Sequence, residues 1–368
     1  MSIERGTSEA RSELSARSGG YTAATSTIGR DGVQNFGEAQ RAVVGSRGGR
    51  RRRRSAERQM VPDATFTSYY GRPIVKPAPW TADIPGYLFF GGLAGGSALL
   101  GAGADLTGRP ALRRTARFGA LGAVAASGYL LVHDLGRPSR FLNMLRVAKP
   151  TSPMSVGTWI LSAFGPAAGV AAAAELGRYL PDRLDWLRDM LAAVDRPAGL
   201  AAAALGPAVA SYTAVLITDT ATPSWHEGYR EMPFVFVGSA ALAAGGLGML
   251  GAPTDQAGAA RRLVVGGALL ELAAEQQMEK SMGIAAEPLH QGIAGKFMRM
   301  SKALTAVGTL GAVFAGRNRG IAAGSGVALL AGSACTRFGI FHAGQQSAQD
   351  PKYTVVPQRE RMRARTSR

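Results

Sequence analysis

Glu271, Glu275 and Glu279 recur four residues apart in RRLVVGGALLELAAEQQMEK, a stretch with long apolar runs. Positions i and i+4 share one face of an α-helix, so the three carboxyls form a line along it. If that helix crosses a bilayer from Arg261, Glu271 lies about 15 Å in, close to the midplane. A carboxyl at that depth is costly unless it faces protein or water and has a task, by default the handling of protons or ions. The three residues therefore define a candidate proton path, with Arg262 at its far end.

The elements that must position this line are apolar runs long enough to span a membrane. Eight candidates follow one another at roughly 84–105, 115–135, 154–177, 198–218, 233–251, 261–282, 303–317 and 320–342. The seventh is the shortest. The reading is an all-α membrane protein of about eight transmembrane helices over residues 84–342. A soluble helical repeat array fits less well, because the runs are apolar nearly all round the helix rather than on one side. An internal echo, LAGGSALLGAGAD at 93–105 against AAGGLGMLGAPTD at 243–255, would divide the spans into two four-helix halves. Gly/Ala-rich helices also resemble one another by chance, so duplication stays an open reading.

The mean hydropathy of +0.03 hides this pattern because polar residues gather at the ends. Residues 1–60 hold twelve Arg against six acids, including the run Arg50–Arg54, and few bulky apolar residues, which predicts a disordered tail. Residues 343–368 form a second basic tail, with six Lys/Arg against two acids. Between tail and spans, residues 61–83 are rich in proline and aromatics and read as an extended peripheral segment. Translation starting at Met60 is an alternative to Met1. The arginine run has no interleaved aromatics to stack bases, so anionic lipid headgroups are a better counterpart than nucleic acid. An even number of spans puts both tails on one side. The basic tails, without an apolar leader, favour termini in the cytoplasm.

The lone Cys335 cannot ligate an iron–sulfur cluster or close an internal disulfide. Four histidines, 133, 226, 290 and 342, would serve two haems only if all faced inward in pairs. A dihaem anchor using His133 and His342 is thus a weaker reading, and metal chemistry is expected on another subunit.

The most distinctive stretch follows the second span: HDLGRPSRFLNMLRVAKPTSPMSVGTWIL, residues 133–161. Gly136 and Pro138 end a helix, and Ser152 or Ser155 can cap the next one. Arg137, Arg140, Arg146 and Lys149 make a basic surface on the tail side. By themselves they are explained by headgroups.

In order and spacing, DLGRPxRFxNMLR followed by PTSPMSxGxW, with GLAGG at Gly92–Gly96 before them, resembles the NrfD/PsrC family. The resemblance extends over about residues 61–356, including FGIFHAGQQSAQDPKYTV at 338–355. It implies two four-helix bundles without haem. It also implies electron exchange between a quinone, menaquinone by analogy, and a four-cluster iron–sulfur subunit joined to a molybdopterin enzyme, which could be formate dehydrogenase-like. Arg137, Arg140 and Arg146 would meet that partner. The family's quinone-site positions fall on Tyr87, Tyr212 and Asp134, and its arginine opening the sixth span falls on Arg262. Where the family often has His at the start of the first span, this chain has Tyr87.

With termini inside, odd spans start and even spans end on the tail side. Tyr87, His133, Asp134, Tyr212, Asp219 and Glu279 then converge on one face, where phenols can hold carbonyls and His/Asp can exchange protons. The expected role is a quinone-reactive subunit of an oxidoreductase complex in a bacterial cell membrane, rather than a stand-alone enzyme. The alternative is a proton-coupled secondary transporter or channel using the carboxylate line, with Gly206–Pro207 as its broken helix.

Overall fold

The computed structural model describes residues 73–366, all of them helix, turn or irregular segment with no strand among the described residues. The basic tail expected at 1–60 and the start of the peripheral segment lie outside the described residues. Eleven α-helices are present among the described residues. α1 (Asp83–Leu106), α2 (Pro110–Asp134), the short α3 (Arg140–Met144), α4 (Pro153–Gly177) and α5 (Asp185–Thr218) form the first half. The short α6 (Pro223–Glu227), then α7 (Met232–Gly251), α8 (Gly258–Met282), α9 (Gly292–Phe314) and α10 (Arg319–Gln349) form the second, and α11 (Lys352–Thr366) closes the chain.

Six of these, α1, α2, α4, α5, α7 and α10, are long and apolar enough to cross a membrane. The chain is therefore a multi-pass membrane protein. The two remaining long helices, α8 and α9, carry charge inside their apolar runs: Arg261, Arg262, Glu271, Glu275, Glu279 and Lys280 on one, Lys296, Arg299 and Lys302 on the other. Those lysines and Arg299 also explain why the run at 303–317 reads as a short span, whereas the helix holding it starts eleven residues earlier. α10 likewise continues to Gln349, and the described part of the basic tail, 343–366, is its last turns followed by α11. Backbone hydrogen bonding extends helices through polar residues that hydropathy excludes.

The helices pack as two rings of four. α1 lies against α2 and α5, with α4 between those two; α7 lies against α8 and α10, with α9 between those two. α1 and α7 meet at the centre. Little separates helices from lipid in polarity, so close backbone approach and dispersion hold such a bundle together. Glycines permit that approach. A Cβ at Gly206 would stand 2.6 Å from the Gly95 carbonyl oxygen, and one at Gly246 2.8 Å from that of Gly326. At Gly238 it would stand 2.6 Å from the Glu271 amide nitrogen.

Helix ends follow local chemistry. Pro110 and Pro153 occupy first-turn positions, where a missing N–H costs nothing. Ser152 and Asn318 accept from the backbone N–H three residues on. Gly136, at φ +70°, turns the chain after α2. Both ends of the described chain lie at one end of the bundle, called here the tail end. Gln345 Nε2 donates to the Ala78 carbonyl at 2.9 Å, and Trp80 stacks on Trp225 with centroids 5.5 Å apart. Trp225 in turn donates its Nε1 hydrogen to the Ile340 carbonyl at 2.8 Å.

Candidate functional site

At the tail end Tyr87, in the second turn of α1, and Tyr212, near the end of α5, are both buried, and their hydroxyls share a hydrogen bond. The ring of Tyr212 packs against Gly157 of α4, where a Cβ would overlap its Cδ2 and Cε2 atoms. The glycine of PTSPMSxGxW is thus a packing requirement of the tyrosine site. Ser127 of α2 donates to the Tyr87 carbonyl at 3.2 Å, and Ser211 donates to that of Pro207 at 2.8 Å. These bonds fix both backbones. A phenol pair in such a setting offers two donors to a carbonyl-bearing ring, once each hydroxyl exchanges its tyrosine partner for the ring oxygen.

One turn nearer the surface, on the same face of α1, Asp83 Oδ2 lies 2.7 Å from His133 Nδ1. Thr81 Oγ1 lies within hydrogen-bond reach of Asp83 Oδ2 at 3.1 Å and of Asp134 Oδ1 at 3.3 Å. His133 is largely exposed, so this pair can exchange protons with water while Tyr87 and Tyr212 cannot do so directly. Asp219 caps the end of α5 at the same end.

The carboxylate line runs inward from the tail end of the second bundle. His290 Nε2 lies 3.6 Å from Glu279, and Lys302 Nζ bridges Glu279 at 3.1 Å and Glu275 at 3.2 Å. Glu275 and Glu271 are both buried. Glu271 accepts from Thr336 Oγ1 at 3.0 Å, and Thr336 shares a 2.6 Å bond with Ser301. Ser239 and Ser333 pair at 2.9 Å beside them. Arg337, 1% exposed, donates to the Phe236 carbonyl at 2.8 Å and lies 3.7 Å from the centroid of the Phe236 ring. It follows Thr336 on α10 and so brings a buried cation to the same polar layer as Glu271. Buried charge near the middle of a bundle is tolerated when an opposite charge and hydroxyls surround it, as they do here.

Arg262 is not brought to this line. It lies exposed at the opposite end of α8, lining an open cleft with Arg261. On the tail-side loop Arg137, Arg140, Arg146 and Lys149 are exposed. Arg140 donates to the Leu135 carbonyl at 2.9 Å, which braces the turn at Gly136. Exposed Leu142, Val147 and Trp159 share this surface with the cations.

Sequence reasoning did not find two polar groups. Arg337, Thr336, Ser301 and Lys302 complete the surroundings of the carboxylates; an arginine inside the run ACTRFGIF was the available signal. The second is an ionic cluster at the far end of the first bundle. Arg113 holds Asp105 and Glu175, each at 2.7 Å, while Arg117 pairs with Glu175 at 3.0 Å and with Asp195. Arg178 joins it through Asp195 at 2.8 Å. Partners 62 and 78 residues apart leave no spacing pattern to read.

Compared with known families, residues 74–252 match the family described as Polysulphide reductase, NrfD. That range contains the phenol pair, the His133–Asp83 contact and the basic loop. No curated protein matches the chain.

Proposed function

We propose that this chain, a member of the NrfD family and thus of a group of membrane anchors for quinone-interacting oxidoreductase complexes, exchanges electrons between menaquinone and an iron–sulfur subunit joined to a molybdopterin enzyme. The observation that carries the reading is the buried Tyr87–Tyr212 hydroxyl pair one turn beneath Asp83 and His133. Its donor chemistry fits a quinone: two phenols for ring carbonyls, with a water-accessible His/Asp pair next in line. When bound, the quinone supplies two-electron, two-proton redox chemistry. Tyr87 and Tyr212 orient its carbonyls and exclude water, and His133, held by Asp83 and flanked by Asp134, carries protons to or from the tail side. The exposed loop cations Arg137, Arg140 and Arg146 suit an acidic patch on the iron–sulfur subunit, and the chain sits in a bacterial cell membrane with cytoplasmic termini.

Proton translocation is the finer part of the proposal. Its support is the run His290, Glu279, Lys302, Glu275, joined contact by contact, with the buried Glu271 one helical turn farther in. The same run would serve a proton-coupled transporter, the second reading. Quinol turnover by membranes carrying Tyr212→Phe or Asp134→Asn tests the first: both should lose activity, and unchanged turnover in both would remove the site assignment. Extraction of the chain with its neighbours separates the readings, since an accompanying iron–sulfur subunit supports the first and a chain isolated alone supports transport.

A further inference from the structure

The far end of the second bundle holds a cleft that the quinone reading does not use. It measures about 380 Å³ and is lined by Gly258, Arg261, Arg262, Val265, Ala312 and Val313, between the first turns of α8 and the last of α9. Three observations there point to one ligand chemistry. The first is charge. Residues 252–262 and 314–319 contain four arginines and a single acid, Asp255. Arg319 is committed to the carbonyls of Met249 and Ala252, at 2.7 and 2.8 Å, but Arg262 stands exposed in the cleft wall. The second is the helix terminus. α8 begins at Gly258 with no side-chain cap and no acid in its first turn, so its leading N–H groups and the positive end of its dipole face the cleft. Arg109 approaches from the α1–α2 turn, its guanidinium 3.9 Å from where a Gly258 Cβ would be, and its Nη1 is buried without a hydrogen-bond partner. The third is the wall. Val265 and Val313 lead onto the outward apolar faces of α8 and α9, where Leu269, Leu310 and Phe314 are exposed.

We propose that this cleft binds the phosphate headgroup of an anionic phospholipid, with its acyl chains along the Leu269–Leu310 side. The phosphate accepts from Arg261, Arg262 and the α8 terminus, the combination by which helix N-termini and arginines hold phosphate oxygens. A soluble anion would gain nothing from the apolar wall, whereas acyl chains lie along it. Arg261 already donates to the Gly316 carbonyl at 2.6 Å, so the site is braced before the lipid arrives.

The test uses the full chain extracted in detergent with whatever subunits accompany it, titrated with phosphatidylglycerol, phosphatidylcholine or sodium phosphate and followed by native mass spectrometry and thermal stability. Phosphatidylglycerol should bind and stabilise the wild type, while the other two should not. Arg262→Gln should weaken that binding about fivefold, the share of one cation near a headgroup. Arg262→Lys should lose less than Arg262→Gln. Val313→Trp, which fills the cleft with every arginine intact, should also weaken it and keeps the test valid if Arg262→Gln misfolds. Equal phosphatidylglycerol binding by wild type and Val313→Trp would overturn the proposal. So would equal response to phosphatidylcholine, which removes charge recognition, or to sodium phosphate, which makes the ligand a free anion.

Discussion

Tyr87 and Tyr212 lie 125 residues apart and donate or accept a single hydrogen bond between their hydroxyls, beneath the tail-end surface. The contact joins the first and last long helices of the first bundle, and it exists because Gly157 leaves room for the Tyr212 ring. A phenol bonded only to another phenol is poised to exchange that bond for one to a ligand at little cost, since one hydroxyl contact replaces another.

This pair separates a structural from a functional role. Tyr212→Phe leaves the Tyr87 hydroxyl buried without a partner and should lower stability by about 1–3 kcal/mol. Replacing both tyrosines by Phe removes donor and acceptor together, so the double variant should melt closer to wild type than either single one. Quinol turnover should nonetheless be lost in all three. A double variant that recovers both melting temperature and turnover would show that the pair is only packing.

The helices themselves were legible because long apolar runs bounded by Pro, Gly and charged turns leave few alternatives. Tyr87 and Tyr212 were nominated through a family resemblance; periodicity alone does not pair residues on different helices. Glu271 was legible from depth, whereas Arg337 was not, because nothing local relates a lone arginine to a carboxylate 66 positions earlier. Helix ends were misread where charge interrupts an apolar run, as at Lys302, because that half-exposed cation is also held by Glu275 and Glu279 of the neighbouring helix and the backbone ladder runs on through it.

The loop cations should act on partner retention and not on folding. Arg137 and Arg146 are exposed, whereas Arg140 also braces the Gly136 turn, so the cleaner test is the double change Arg137→Glu, Arg146→Glu. If the loop holds an acidic iron–sulfur subunit, that subunit should wash from membranes at lower salt, since such contacts are screened over about 10 Å at 0.1 M. Full retention on salt washing would leave the loop with lipid headgroups alone.

In the first bundle, Glu175 pairs with three arginines at once: Arg113 at 2.7 Å, Arg117 at 3.0 Å and Arg178 at 3.5 Å. Glu175→Ala leaves Arg117, which is 4% exposed, with Asp195 as its remaining carboxylate, and removes one partner of Arg113. Breaking a buried ion pair by deleting one member costs about 3–5 kcal/mol. The variant should accumulate poorly and melt earlier, without a change in quinone affinity in the surviving protein, because the cluster lies at the opposite end from Tyr212. A shift in quinone affinity at unchanged melting temperature would tie the cluster to the quinone site.

The last helix is held by a titratable contact. Lys352 Nζ lies 2.6 Å from Glu287 Oε2, the Tyr353 hydroxyl donates to the same oxygen at 3.3 Å, and the bond to Lys352 holds the Glu287 carboxyl below the usual range. A carboxyl depressed in the folded state stabilises it at neutral pH, and that contribution disappears as pH falls through the depressed value. Amide protection factors in residues 352–366, which correct for the intrinsic slowing of exchange in acid, should therefore fall on acidification, and Lys352→Gln should show lower protection already at neutral pH. Equal protection in Lys352→Gln and wild type would assign the docking of α11 to Arg361 and Glu227 instead.

Glu271 is the sharpest test of proton movement, because its surroundings separate hydrogen bonding from charge. It accepts from Thr336, a bond that a glutamine oxygen can also accept, so Glu271→Gln should assemble normally. The same change removes a negative charge opposite Arg337, whose Nε and Nη1 have no hydrogen-bond partner, and a modest loss of stability is expected from that alone. If protons pass from His290 and Glu279 through Glu275 to Glu271, the glutamine interrupts the run at its innermost member while leaving Tyr87 and Tyr212 untouched. Quinone turnover in detergent should persist, and gradient formation by the complex in sealed vesicles should fall. Lys302→Gln should produce a related defect one step earlier, since Glu275 and Glu279 would then lose the cation between them. Wild-type gradients in Glu271→Gln vesicles would make the carboxyl a structural partner of Arg337 and end the proton-path reading.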